Sequence, residues 1–298
     1  MKRILILGTF DGVHRGHKAL LKKGKELQNE LFAVPTVITF SPHPAQVLGR
    51  KVNLLTLPAE RKKLLEEQGA CVEQILFDEV FAAMSAEQYI DFLCRNYDPA
   101  AIIVGANHTF GAKGSGTPKL IVSLAAKYGY RVFVEPSVIY EQQPISSTRI
   151  REALQAGHIT RANEMLGYCY GISGIIESGQ AIGRTIGFPT ANLAMNLQKA
   201  LPGQGVYVTI AVSEGKKYCA ITNIGVRPTV TQHGEQTIES FLLNFDGELY
   251  AKEISLRFLH WLRPEKKFAN MKALSMQLAQ DAAIARAYVS SLKEKNIL

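Results

Sequence analysis

The chain has 298 residues, of which 47% are hydrophobic and 20% charged, with a formal net charge of +8; that suits one large or two medium domains with real cores. Its basic residues are scattered, densest at Lys22-Lys23-Lys25, Arg61-Lys62-Lys63 and Lys266-Lys267. They form no stripe or recognisable module, so no nucleic-acid partner is expected, and attraction of polyphosphate substrates accounts for the balance. No apolar run is long enough to span a membrane or serve as a signal peptide, and Cys71, Cys94, Cys169 and Cys219 lack metal or redox spacing, which points to a cytoplasmic protein with no membrane contact.

The chain opens on Ile4-Leu5-Ile6-Leu7-Gly8-Thr9-Phe10-Asp11-Gly12-Val13-His14-Arg15-Gly16-His17. The apolar run reads as a buried strand, and His14 to about Leu27 as a helix with Leu20, Leu21, Gly24 and Leu27 on one side. Gly8, Gly12 and Gly16 lie where backbone bends sharply or approaches a ligand. Strand, glycine turn and helix N-terminus together make an anion site, with Phe10 in the turn and His14 and His17 on one face of the first helical turn. The string resembles the His-x-Gly-His signature of nucleotidyltransferases, and its longer form looks like bacterial FAD synthetases.

Strands over Phe32–Phe40, Val72–Phe77, Ala100–Val104 and Arg131–Val134 alternate with helices over Pro58–Gln68, Ser85–Cys94 and Thr117–Tyr128, which implies a parallel sheet with crossover helices. Ser41-Pro42-His43-Pro44 holds His43 at a strand's carboxyl end, where such sheets bind ligands. The glycine-rich stretch Gly105 to Gly116, containing Asn107, His108 and Phe110, reads as a ligand-facing loop. Ser146-Ser147-Thr148-Arg149-Ile150-Arg151 places hydroxyls and guanidinium forks at a helix start, suited to phosphate.

From about Leu166 the grammar changes. Short β-rich runs (Tyr168–Ile176, Val206–Val212, Tyr218–Ile224, Gln236–Phe245, Glu253–Phe258) and a closing helix over Asn270–Leu292 predict a small antiparallel barrel, with domains of 1–158 and 165–298. Gly183-Arg184-Thr185-Ile186-Gly187-Phe188-Pro189-Thr190-Ala191-Asn192 reads as a loop folded over a polyanion, and Thr190 and Asn192 offer the neutral oxygens that Mg²⁺ accepts. Strand alternation sets Glu239 with Phe241, Leu243 and Phe245, an apolar face that would desolvate a carboxylate and raise its proton affinity.

The loop resembles the riboflavin kinase signature, with companions at Pro202-Gly203-x-Gly205, Asn223-Ile224-Gly225-x-Arg227-Pro228-Thr229 and Arg263-Pro264-Glu265-x-Lys267-Phe268. Over nearly its whole length the chain is similar to bacterial bifunctional riboflavin kinase/FMN adenylyltransferases. The resemblance implies a Rossmann-like α/β domain that adenylylates FMN, then a β-barrel that phosphorylates riboflavin, with ATP and Mg²⁺ as co-reactants. It implies catalytic roles for His14, His17, Arg151 and Glu239, and Mg²⁺ at Thr190 and Asn192. Phosphates would meet Gly8, Phe10, Gly12, Gly16, Ser146, Ser147, Thr148, Gly183, Arg184 and Gly187, and flavin would meet Asn107 and Phe110. The family usually has Phe where this chain has His108, and Val then His/Asn where it has Ser240 and Phe241. A chain with one active domain, or a flavin-binding regulator, is the competing expectation.

Overall fold

The computed structural model describes residues 1–177, 190–227 and 235–294. Contacts divide the chain into two compact units, Met1–Arg149 and Ile150–Leu298; the helix Ser147–Gln155 contains the division.

In the first unit β1 (Arg3–Leu7), β2 (Val34–Ser41), β3 (Cys71–Leu76), β4 (Pro99–Gly105) and β5 (Arg131–Glu135) form one sheet in the order β3-β2-β1-β4-β5. Every neighbouring pair is parallel. Such a sheet needs cover on both faces, and the period of two supplies it. Ile4 and Ile6 pack with Leu20, Leu21 and Leu27 of α1 (Arg15–Leu31). Leu5 and Leu7 pack on the opposite face with Ile90 and Leu93 of the helix Ala86–Tyr97 and Ile121 of the helix Pro118–Tyr128. The four residues expected on the buried side of α1 are the ones it buries. Gly24 lets α1 approach the sheet closely: a Cβ there would lie 2.6 Å from Ile6 Cδ1 and would force that side chain to shift. Four short elements escape the sequence reading: helices Pro44–Val47 and Glu79–Ala82, the 3-10 turn Ala112–Gly114, and the hairpin of β6 (Ile139–Tyr140) and β7 (Gln143–Pro144). Each is too short to carry a period.

The second unit is a closed barrel. Its strands are β8 (Gly171–Glu177), β9 (Thr190–Ala194), β10 (Gly205–Ser213), β11 (Lys216–Arg227), β12 (Glu235–Leu242) and β13 (Glu253–Arg263), in the order β10-β11-β12-β9-β8-β13 with β13 returning to β10. All pairings are antiparallel. Inside, Thr209, Thr222 and Ser240 are fully buried and satisfy one another through hydroxyl contacts of 2.8 and 3.0 Å. Outside, Val206, Val208, Ile210 and Ile221 pack with Ala282, Ala285 and Val289 of the closing helix (Met271–Glu294). Asp281, 1% exposed, accepts a forked ion pair from Arg263 at 2.7 Å and locks that helix to β13. Residues Ile159–Leu166, near which the sequence reading joins the domains, form a helix of the second unit. Asn163 fastens it by donating to Phe258 O and accepting from Tyr170 N–H.

One local expectation is corrected. Thr190 and Asn192 lie in β9 rather than in a loop. The run Thr-Ala-Asn-Leu-Ala alternates, with Ala191 and Leu193 buried, and that period of two completes the barrel.

Candidate functional sites

The carboxyl ends of β1 and β4 flank the point where strand order reverses, the place where open α/β sheets hold ligands. A cavity of about 990 Å³ opens there, lined by Gly8 and Thr9 after β1, Phe40 at the end of β2 and His43 beyond it, Phe77 after β3, and Asn107, His108 and Phe110 after β4. His43 Nδ1 accepts from Ala45 N–H at 3.1 Å, capping the short helix that follows. Phe110 is mostly buried, packed on Tyr89 at 5.5 Å and stacked on His108 at 5.6 Å, whereas Asn107 is exposed at the rim.

At the cavity's edge stands the histidine pair. His14 caps α1, its Nδ1 accepting from His17 N–H at 3.3 Å, and the two rings stack 3.6 Å apart. Accepting at Nδ1 assigns the proton of a neutral His14 to Nε2, leaving Nε2–H as a donor. Phe10 lies 4.9 Å from the His17 ring. A Cβ on Gly16 would press on the His14 ring at 3.1 Å, and one on Gly8 would meet Phe10 at 3.1 Å. Gly12 has φ +82°, a conformation suited to glycine. Phe10 and Val13 share the left-handed region at φ 54° and 34°; strain of this kind concentrates at functional turns.

Burial pushes His14 down to about 4 against a partial rise from Asp11. His17 lies well below the ordinary histidine range through burial, then through His14 and Arg61. Both rings are therefore neutral at pH 7. His17 Nδ1 is shielded and has no hydrogen-bond partner.

The second signature of this half reaches the same turn. Ser147 Oγ donates to the Asp11 carbonyl at 2.8 Å, and Ser146 Oγ accepts from Arg149 N–H at 3.3 Å. Thr148 is exposed. Arg149 is occupied elsewhere, donating to the carbonyls of Tyr140, Gln143 and Pro144 and so clamping the hairpin. Arg151 lies on the same helix beyond the division between the units.

In the barrel, register assembles a row. Asn192 of β9 lies opposite Glu239 of β12, and Glu239 lies opposite Asn223 of β11. Thr190 pairs with Phe241, two residues along the same outward face, and Glu239 is half-buried beside that apolar ring. Gly183, Arg184 and Gly187 lie outside the described residues.

Comparison with known proteins agrees with this division. A family model described as FAD synthetase matches residues 1–149, and one described as riboflavin kinase matches 166–289. The bifunctional riboflavin kinase/FMN adenylyltransferase of Bacillus subtilis is 35% identical over 98% of this chain and 94% of its own. That of Escherichia coli K12 is 33% identical over 97% and 94%. The chain belongs to the bifunctional riboflavin kinase/FMN adenylyltransferase family. A crystal structure described as a macrolide-efflux protein from Streptococcus pneumoniae has a TM-score of 0.88 at 28% identity, covering 96% of this chain and 94% of its own. No helix among the described residues is long and apolar enough to cross a membrane.

The bifunctional enzyme therefore carries its FAD synthetase domain first and its riboflavin kinase domain second, each with its expected fold. Two groups behind the first site escaped the sequence reading. Asp11 is fully buried, and its carboxylate accepts from Leu55 N–H, Thr56 N–H and Thr56 Oγ1 at 2.9–3.2 Å, pinning a distant buried segment under the turn. Arg61 is 1% exposed and donates to Phe40 O at 2.5 Å; its charge bears on both Asp11 and His17. Neither has a local signal: Arg61 stands in the charged run Glu60-Arg61-Lys62-Lys63, and Asp11 in a polar turn.

For a divalent cation, the barrel offers oxygens of the right kind. Thr190, Asn192, Glu239 and Asn223 share one outward face, and Asn223 Oδ1 is shielded without a hydrogen-bond partner. Neutral oxygens beside one carboxylate match the hard-oxygen preference of Mg²⁺, which takes the rest of its shell from water and phosphate. Among the described residues there is no cluster of three or more His, Cys, Asp or Glu that would suit a softer metal.

Proposed function

We propose that FMN adenylylation runs at the cavity beyond β1 and β4, within a domain of residues 1–158, and riboflavin phosphorylation on the outer barrel face, within a domain of 165–298. In the first reaction an FMN phosphate oxygen attacks the α-phosphorus of ATP, and pyrophosphate leaves. His14 and His17, as neutral donors, and Arg151 stabilise charge on the phosphates. The backbone at Gly8, Phe10, Gly12 and Gly16 and the hydroxyls of Ser146, Ser147 and Thr148 hold them. Asn107 and Phe110 meet the flavin.

In the second reaction Glu239 accepts the proton of the riboflavin 5′-hydroxyl as its oxygen attacks the γ-phosphorus of ATP. Thr190 and Asn192 would hold Mg²⁺, which supplies neutralising charge to the ATP phosphates; Gly183, Arg184 and Gly187 contact those phosphates. Small molecules are the partners, with neither nucleic acid nor membrane, and the enzyme works in the cytoplasm.

The observation that carries the reading is the Ser147–Asp11 hydrogen bond. It ties the two phosphate signatures of the first half together at the histidine turn. The test is to assay riboflavin to FMN and FMN to FAD separately on the full chain, with Mg²⁺ withdrawn by EDTA and restored. Kinase turnover should vanish and return with Mg²⁺. Turnover that persists at full rate in excess chelator contradicts the metal assignment.

A further inference from the structure

Asn223 sits beside the proposed base, and the reading above gives it no work. Three observations single it out. Its Nδ2 donates to Glu265 Oε1 at 2.8 Å. Its Oδ1 is shielded from solvent and has no hydrogen-bond partner. Its register partner on β12 is Glu239.

Glu265 sets the amide's orientation. A carboxylate only accepts, so the NH₂ end of Asn223 must face it. The amide is trigonal, so its oxygen is turned away from Glu265. Gly225 allows this clamp, because a Cβ there would lie 2.4 Å from Glu265 Oε1. The glycine, the asparagine and the glutamate thus form one device that presents a carbonyl oxygen. A buried acceptor is destabilising unless a donor meets it. The neighbouring carboxylate is itself an acceptor and cannot be that donor.

The order of the strands supplies a direction. Asn192, assigned to the metal complex, flanks Glu239 on the β9 side, and Asn223 flanks it on the β11 side. The phosphoryl donor therefore approaches from β9, and the carbon chain of the accepting alcohol extends towards β11. In a polyol, the group next to the reacting primary hydroxyl is a second hydroxyl, which is a donor.

We propose that Asn223 is a specificity-determining residue of the kinase: its Oδ1 accepts a hydrogen bond from the polyol hydroxyl adjacent to the one Glu239 deprotonates. Glu265 is the positioning residue that aims it. The proposal deepens the assignment of Glu239 as base and rests on it. Such a contact would select a terminal vicinal diol over a simple primary alcohol.

The test is a cycle between side chain and substrate, using the full chain with riboflavin and with 4′-deoxyriboflavin. One neutral hydrogen bond, about 1.4 kcal/mol at the upper end of its range, corresponds to roughly tenfold. The parent should lose about tenfold in kcat/KM when the 4′-hydroxyl is removed. Asn223→Ala should lose about tenfold with riboflavin and nothing further with the deoxy analogue. Losses that multiply, or an unchanged kcat/KM for Asn223→Ala with riboflavin, overturn the proposal. Should Asn223→Ala fail to fold by thermal unfolding, Glu265→Ala carries the test: discrimination between the two flavins should shrink to a few-fold, and full tenfold discrimination overturns the aiming role. Glu239→Gln separates the two assignments. If it turns over normally the base is elsewhere, while the cycle still reads the hydroxyl contact at Asn223.

Discussion

The two halves of this enzyme place their chemistry differently. In the sheet, the groups proposed for catalysis and binding lie past the strand ends, on a glycine turn, a helix start and a following loop. In the barrel they lie within strands, and the row Asn192–Glu239–Asn223 exists only through pairing. The first arrangement makes a pocket whose ionisable rings are buried and neutral. The second makes a row of half-buried oxygens suited to a hydrated cation. A parallel sheet buried on both faces leaves only its ends for ligands. A barrel with a packed interior leaves only its outer face and rim.

If the halves work independently, damage to one should leave the other untouched. The largest effect is expected from Glu239→Gln, which keeps size and hydrogen bonding but removes the proton acceptor. Kinase turnover at saturating riboflavin and Mg-ATP should fall by ~10²–10⁴, while FAD formation from supplied FMN stays at the parental rate. A fall of less than a few-fold means the carboxylate is structural.

Next comes the reverse experiment. His17→Ala should cut FAD formation by ~10²–10³, the range for one lost donor to developing charge, and leave FMN formation intact. Equal loss in both assays would mean the variant has disturbed the whole chain rather than one site.

The smallest effect sharpens the contrast through pH. His14 and His108 are lowered from 6.5 to about 4 in the folded state, His108 by burial alone, and His17 is lowered as well. Between about pH 6.5 and 4 the unfolded chain binds protons that the folded one refuses, so stability falls as pH falls through that window. Thermal unfolding at pH 7, 6 and 5 should show the first unit losing Tm with acid. His108→Phe should make that decline shallower. An equally steep decline in the variant would remove His108 from the account.

The sequence by itself determined what short-range physics controls. The apolar run Ile4–Leu7 and the stripe Leu20, Leu21, Gly24, Leu27 were legible because a buried strand and one helix face are each written in neighbouring residues. The helix start at Ser85 was legible because its capping bond from Gln88 N–H spans one turn. The histidine turn could be read because a turn built from neighbouring residues is written as one contiguous string.

Tertiary structure decided whatever depends on pairing distant segments. Whether Thr190 belonged to a loop or a strand turned on the presence of β12 alongside it. Asp11 and Arg61 look like ordinary charges until the fold buries one under Thr56 and the other beneath Phe40. Asn223 becomes a neighbour of Glu239 only at one register of β11 on β12, and a slip of one residue would turn it into the barrel interior. Local sequence sets the period of each element; burial and register, which set charge state and side-chain neighbours, arise only when the elements meet.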